Sequence, residues 1–257
     1  MDEVKDLSTK TVLLTGASGG IGSVTARELL ARGAHLIAHY GSDRDGAEAA
    51  VAGADPERVT LAQADLSQPE GTRGLWRDAV AWRGRVDVVV LNAAVSVPTP
   101  LDGSDEEWDE GWERTLRVNV IAPACLAREA IKHYVQHGGG SLVTIGSWAA
   151  QRGSAIPQVI AYAASKAAVA STAQTIARNH ARDKIFSYVV APGIVETSMS
   201  EISARFRGGI DAVNAALTMG EMVQPDEVAR VVAFLASGAA KNLTGATLDL
   251  NGASNIR

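Results

Sequence analysis

The sequence predicts a doubly wound α/β protein, one parallel sheet of seven strands with helices covering both faces. Three observations carry that expectation. Seven short apolar runs rich in Val, Ile and Leu recur along the 257 residues. Longer stretches with helical periodicity separate them, and a glycine-rich turn follows the first run directly. Strands of a parallel sheet are buried on both faces, so they read as continuous apolar runs, and each needs a helical crossover to reach the next.

In chain order, "TVLLT" (11–15) is the first strand, and the helix over 20–32 begins inside the glycine turn. The second strand, "HLIAHY" (35–40), leads to a helix over 43–52. "RVTLAQ" (58–63) is the third; a helix over 68–83 follows, with Ser67 and Glu70 three residues apart as a capping signal at its start. "VDVVVLN" (86–92) is the fourth. The periodic stretch over 105–137 reads as two helices, the first opened by the same Ser–Glu spacing at Ser104 and Glu107. "SLVTIGS" (141–147) precedes a helix over 157–181, and "FSYVVAP" (186–192) precedes a connection, 193–224, expected to fold over the site as a lid. Met199, Phe206, Met219 and Met222 suggest an apolar contact surface on that lid. A helix over 225–236 and the seventh strand, "ATLDL" (246–250), complete the pattern. Open sheets of this kind bind ligands beyond the carboxyl ends of their strands.

Composition narrows the classes. With 46% hydrophobic and 21% charged residues the chain is ordinary globular material, and no linker, repeat or low-complexity segment divides 1–257, so a single domain is expected. A net charge of −5 lacks the basic surface that a nucleic-acid partner needs. The start, "MDEVKDLSTK", is polar, and nowhere do enough apolar residues run together to span a membrane. The single cysteine, Cys125, cannot form an intramolecular disulfide. A cytoplasmic protein acting on a small molecule is the expectation.

In "TGASGGIGSVTARELLARG", Gly16, Gly20 and Gly22 are spaced G-x-x-x-G-x-G between strand and helix. Gly16 permits a tight turn with positive φ, Gly20 lets the backbone approach a pyrophosphate, and Gly22 allows close helix–strand packing, while the helix N-terminus adds N–H groups and positive dipole. A dinucleotide is the expected ligand. The second strand of such a unit ends near the residue that chooses the cofactor: Asp or Glu receives a ribose 2′-OH, whereas basic or small polar groups accommodate a 2′-phosphate. Tyr40 stands where the acid is expected, with Ser42 and Arg44 just beyond, which favours NADP(H) over NAD(H), although Asp43 is close by and Ser18 in the turn adds no charge.

"AYAASKAA" (161–168) places Tyr162 and Lys166 four residues apart, on one face of an alanine-rich helix. A phenol titrates near 10 and serves as an acid; an adjacent ammonium is expected to lower that value toward two-way proton transfer. Ser147 ends a central strand on the ligand side. Protonation of a carbonyl oxygen, or deprotonation of an alcohol, beside a hydride-carrying cofactor is the implied chemistry.

With these residues in place the chain resembles the short-chain dehydrogenase/reductase family over about residues 8–252, in particular its 3-oxoacyl-carrier-protein reductase-like members. The resemblance rests on "TGASGGIG" (15–22), "DLS" (65–67), "LNAA" (91–94), Asn119 in "RVNVIAPA", Ser147, Tyr162 with Lys166, "PGIVET" (192–197) and "LTGATLDLNG" (243–252), in family order. It implies a Rossmann fold, a homotetramer, and a catalytic set of Asn119, Ser147, Tyr162 and Lys166. Tyr162 would be the general acid/base. Lys166 would lower its pKa and hold the ribose hydroxyls, Ser147 would bind the substrate oxygen, and Asn119 would hold a relay water. The implied cofactor site comprises Gly16, Ser18, Gly20, Ile21, Gly22, Tyr40, Ser42, Arg44, Asp65 and Leu66 toward the adenine, Asn92 and Ala93 along the adenosine, Tyr162 and Lys166, and Pro192, Gly193, Ile194 and Thr197 at the nicotinamide. Three departures stand out: Ala94 and Ala253 where the family has glycines, and two extra residues between Ser147 and Tyr162, which bring Ser154 forward as a second candidate for the role of Ser147.

The expected activity is NADP(H)-linked interconversion of a carbonyl and a secondary alcohol. An NAD-dependent dehydrogenase acting on a sugar, steroid or other alcohol is the alternative, and a dinucleotide sensor without turnover is a third. No metal is expected: His133 and His137 have zinc-like spacing but no third ligand. The alanine-rich helix is apolar around more of its circumference than one sheet face requires, which itself points to self-association.

Overall fold

The computed structural model describes residues 6–256; the polar first five residues and Arg257 lie outside it. One sheet holds β1 (Thr11–Leu14), β2 (His35–Tyr40), β3 (Val59–Gln63), β4 (Val88–Leu91), β5 (Gly140–Ile145), β6 (Ile185–Pro192) and β7 (Thr247–Leu250) in the order β3-β2-β1-β4-β5-β6-β7, every pair parallel. β1 and β4 are buried at every position, as expected of strands covered on both faces. The strand order reverses between β1 and β4, and a crevice opens beyond their carboxyl ends.

The helices are α1 (Gly20–Ala31), α2 (Arg44–Ala50), α3 (Pro69–Arg83), α4 (Asp105–Leu116), α5 (Ala122–His137), α6 (Ala149–Arg152), α7 (Ile160–His180), α8 (Ser198–Ala204), α9 (Ile210–Ala216) and α10 (Pro225–Ser237). One core layer joins Leu36 and Ala38 of β2 to Ala26 and Leu29 of α1 and Val228 and Val232 of α10. The opposite layer joins Leu13 and Ile37 to Leu75 and Trp76 of α3 and Leu126 and Tyr134 of α5. The segment 193–224 crosses over the carboxyl end of the sheet before α10, its base pinned by parallel bridging of Val195 with Val223.

Three local expectations are corrected or refined. Ser67 does not cap α3: its N–H donates to Asp65 Oδ1 at 2.9 Å, Gln68 occupies the cap without a side-chain bond, and Pro69 starts the helix. Ser104 and Glu107 do form the reciprocal capping box. Second, the stretch 105–137 holds the two expected helices, but no loop separates them. α4 runs through a π-helical turn, Arg117–Ile121, directly into α5, where Pro123 has no N–H to offer the carbonyl of Asn119 four residues back. Third, Met222 does not belong to the lid's contact surface; it is buried with Ala204 and Val213 in the lid's own small core, while Met199, Phe206 and Met219 stay exposed.

Candidate active site

The crevice has a volume of about 1350 Å³, and the carboxyl ends of β1, β4, β5 and β6 open into it. Its floor on the β1 side is the glycine turn. Gly16 adopts φ +72°, and a Cβ on Gly22 would lie 1.8 Å from the Gly16 carbonyl oxygen, so both positions require glycine. Asn92 braces this turn from β4, its Nδ2 donating to Thr15 O at 2.9 Å and Gly16 O at 3.0 Å. Thr15 Oγ1 accepts the N–H groups of Asn92 and Ala93. α1 starts at Gly20 with no side-chain cap and no acidic residue in its first turn, leaving amide donors and the dipole for an anionic group.

A residue the sequence reading overlooked holds this turn. His39 is 2% exposed; its Nδ1 accepts the Gly16 N–H at 3.1 Å, and its Nε2 faces the Ala64 carbonyl at 3.1 Å, which places the proton on Nε2. Burial lowers its pKa to about 4, so the ring is neutral. The signal was available in the alternation of β2: Leu36, Ala38 and Tyr40 share one face and Ile37 and His39 the other. Tyr40 is therefore buried and turned off the crevice wall, which His39 and Ser42 line instead. Arg44 also stands off that wall, its Nε on Glu48 Oε1 at 2.7 Å, and Asp43 caps α2 through the Gly46 N–H at 3.0 Å.

Asp65 and Leu66 line the crevice near Ser67; the Asp65 carboxyl is held below its usual range chiefly by hydrogen bonding to Ser67. Gly16, Ser18, Gly20, Ile21, Asn92, Ala93, Pro192, Gly193, Ile194 and Thr197 line it as well, while Gly22 acts from behind by packing.

At the carboxyl end of β5, Ser147, Tyr162 and Lys166 converge on the crevice. Ser147 and Tyr162 line the same end of it, and the Ser147 Oγ accepts the Ala149 N–H at 3.1 Å. Lys166 Nζ donates to the Ile145 carbonyl at 2.8 Å and lies 5.6 Å from the Tyr162 ring centroid. The expected depression of the phenol is corrected: burial raises the Tyr162 pKa, opposed by the Ser147 hydrogen bond, and it is Lys166 that burial lowers, to about 8. Desolvation outweighs the attraction because the ammonium is directed to a backbone carbonyl, and both charged forms lose water. Ser154 lines the same crevice, with its Oγ accepting the Ile156 N–H at 3.0 Å, in the loop between α6 and α7.

Asn119 lies behind Lys166. Its Oδ1 accepts the Val95 N–H at 2.8 Å, and its Nδ2 donates to Val95 O at 2.8 Å and Ser165 Oγ at 3.0 Å, so the side chain clamps the loop after β4 to α7. A small cavity of about 10 Å³, lined by Asn119, Thr144, Ile145 and Lys166 among others, adjoins it, about the volume of one water. His133 and His137 stack at 3.9 Å on α5; His133 Nε2 accepts the Val86 N–H, and His137 Nδ1 meets the His133 carbonyl, so both have backbone partners. No group of three metal-ligating side chains occurs among the described residues, and no helix among them is long and apolar enough to cross a membrane.

A family model described as enoyl-(acyl carrier protein) reductase matches residues 16–253. The 3beta-hydroxysteroid dehydrogenase 1 of Eggerthella lenta is 32% identical and aligns with 98% of this chain and 95% of its own length. A 3-oxoacyl-(acyl-carrier-protein) reductase of Rickettsia conorii is also 32% identical, over 96% of this chain and 97% of its own. Among solved structures, a short-chain dehydrogenase/reductase of Brucella melitensis titled glucose/ribitol dehydrogenase superposes with a TM-score of 0.85 at 31% identity, covering 98% of this chain and 99% of the other.

Proposed function

The chain belongs to the short-chain dehydrogenase/reductase family and is a nicotinamide-dependent oxidoreductase; from that premise, we propose that it interconverts a carbonyl and a secondary alcohol, with NADP(H) preferred. The observation that carries the proposal is the convergence of Ser147, Tyr162 and Lys166 on one crevice at the carboxyl end of β5, with Lys166 Nζ 5.6 Å from the Tyr162 ring centroid.

The crevice fits a dinucleotide. The uncapped start of α1 and the glycine turn that His39 and Asn92 hold suit a pyrophosphate, Asp65 and Leu66 suit the adenine side, and Pro192 to Thr197 suit the nicotinamide side. The bound nicotinamide supplies or takes up the hydride. Ser147 orients the substrate oxygen against Tyr162. With its pKa raised by burial, Tyr162 is a protonated phenol at neutral pH and gives its proton to that oxygen in the reducing direction. Lys166 faces the ring and supports the phenolate left behind. The small cavity beside Asn119 suits a water that returns a proton through Lys166; since both hydrogens of the Asn119 amide are already used, that water would bind backbone.

Preference for NADP(H) draws support from Ser42 on the wall after β2 and from Asp43 being engaged as a helix cap. An NAD-dependent dehydrogenase is the second reading, favoured by the pairing of Arg44 with Glu48 away from the crevice. We further place the enzyme in the cytoplasm as a homotetramer; Ile160, Ala164 and Ala167 leave an exposed apolar stripe along α7, as a subunit contact needs, and light scattering tests this. Tyr162→Phe is expected to lower turnover by about a hundredfold or more while cofactor binding persists. Retained turnover refutes the role of Tyr162, and tighter binding of NAD(H) than NADP(H) refutes the preference.

A further inference from the structure

We propose that the substrate carries a carboxylate, which pairs with Arg207 at the lid end of the crevice beside Trp148 and Arg152. This rests on the functional reading above and adds the substrate class.

Arg207 closes the short turn Arg205–Arg207 of the lid and lines the crevice together with Ser147, Trp148 and Tyr162. Its Nε is buried and has no hydrogen-bond partner. No carboxylate among the described residues forms an ion pair with it, and the charge that acts on it is of its own sign. That charge is Arg152, whose guanidinium stacks over the Trp148 ring at 4.8 Å. Burial, and after it Arg152, pushes the Arg207 guanidinium below its usual value, yet arginine keeps its proton. A half-exposed guanidinium whose Nε is buried without a partner, and whose charged neighbour is of its own sign, gains from an anion that joins it.

The cofactor's phosphates do not answer to this need. Their expected seat is the glycine turn at the end of β1, whereas α6, which carries Arg152, is tied to the far edge of the sheet by Gln151 Nε2 donating to Asp249 Oδ1 of β7 at 2.9 Å. The missing anion therefore comes with the substrate. A planar guanidinium matches the two oxygens of a carboxylate, and Trp148, Ile156, Val159 and Met199 line the same crevice with apolar surface that suits a hydrocarbon body.

The test compares oxo acids of graded chain length with their methyl esters, each at saturating NADPH and at saturating NADH. The best acid is expected to exceed its ester in kcat/KM by about tenfold or more, as charge-assisted hydrogen bonds to a partly desolvated site allow. Arg207→Gln should bring that ratio to within about threefold, and Arg207→Lys should keep part of it, because the charge survives without the planar fork. The proposal is overturned if acids and esters are equal in the wild type, if oxo phosphates surpass the acids, or if Arg207→Gln lowers acids and esters alike. The last result means that Arg207 only braces the lid, against Asn214 for example, whose Oδ1 is likewise buried and unpartnered. Reduction of neutral ketones alone, lost in Tyr162→Phe, overturns the carboxylate while leaving the oxidoreductase reading standing; reduction of neither class overturns both.

Discussion

His39 allows a quantitative test of how the glycine turn is held. The ring is neutral because burial lowers its pKa from 6.5 to about 4. Above the ordinary value neither the folded nor the unfolded chain carries this proton, and nothing depends on pH. As pH falls below it, the unfolded chain takes up the proton and the folded chain does not, so stability drops until the folded pKa is reached, then levels off. At about 1.36 kcal/mol per pH unit, the gap corresponds to roughly 3 kcal/mol lost between about pH 6.5 and about pH 4. Urea unfolding across this window, wild type against His39→Gln, measures it. Glutamine offers an acceptor to Gly16 N–H and a donor to the Ala64 carbonyl but does not titrate. The wild type should show the steeper loss by close to one proton. His35 and His133, whose pKa values burial also lowers, titrate in both proteins and cancel. Equal slopes would refute the assignment. Protonation of the folded ring, which removes the acceptor for Gly16 N–H, comes only near pH 4, so cofactor affinity of the wild type should fall as that value is approached while that of His39→Gln stays flat.

Other consequences follow from contacts already described. Gly22→Ala puts a Cβ 1.8 Å from the Gly16 carbonyl; it should cost about 1–3 kcal/mol and weaken cofactor binding at least tenfold by titration calorimetry. Asn119→Ala strips partners from both backbone groups of Val95, with a loss of about 2–4 kcal/mol in chemical denaturation. Ala253 takes φ +59°, a left-handed conformation that glycine adopts freely. Ala253→Gly should therefore stabilise by about 0.5 kcal/mol, the relief of roughly 1 kcal/mol being partly offset by the freer unfolded chain.

Much of this molecule is written locally. The order of strands and helices follows from apolar runs and their periods, and Gly16 and Gly22 are glycines for reasons confined to one turn. Tyr162 and Lys166 share a helix face by spacing alone. These features need only neighbours in sequence, so short stretches display them. The remainder depends on which distant groups meet. Whether His39 or Tyr40 faces the crevice is set by the phase of β2 between two core layers. The direction of the Tyr162 shift depends on how far packing removes water from the phenol and on the Ile145 carbonyl that receives Lys166. Arg207 resembles any lid arginine in sequence; its want of an anion appears only when the lid folds back toward Arg152 of α6 and buries its Nε without an ion-paired carboxylate. Desolvation and pairing are properties of the assembled fold, and no spacing along the chain encodes them.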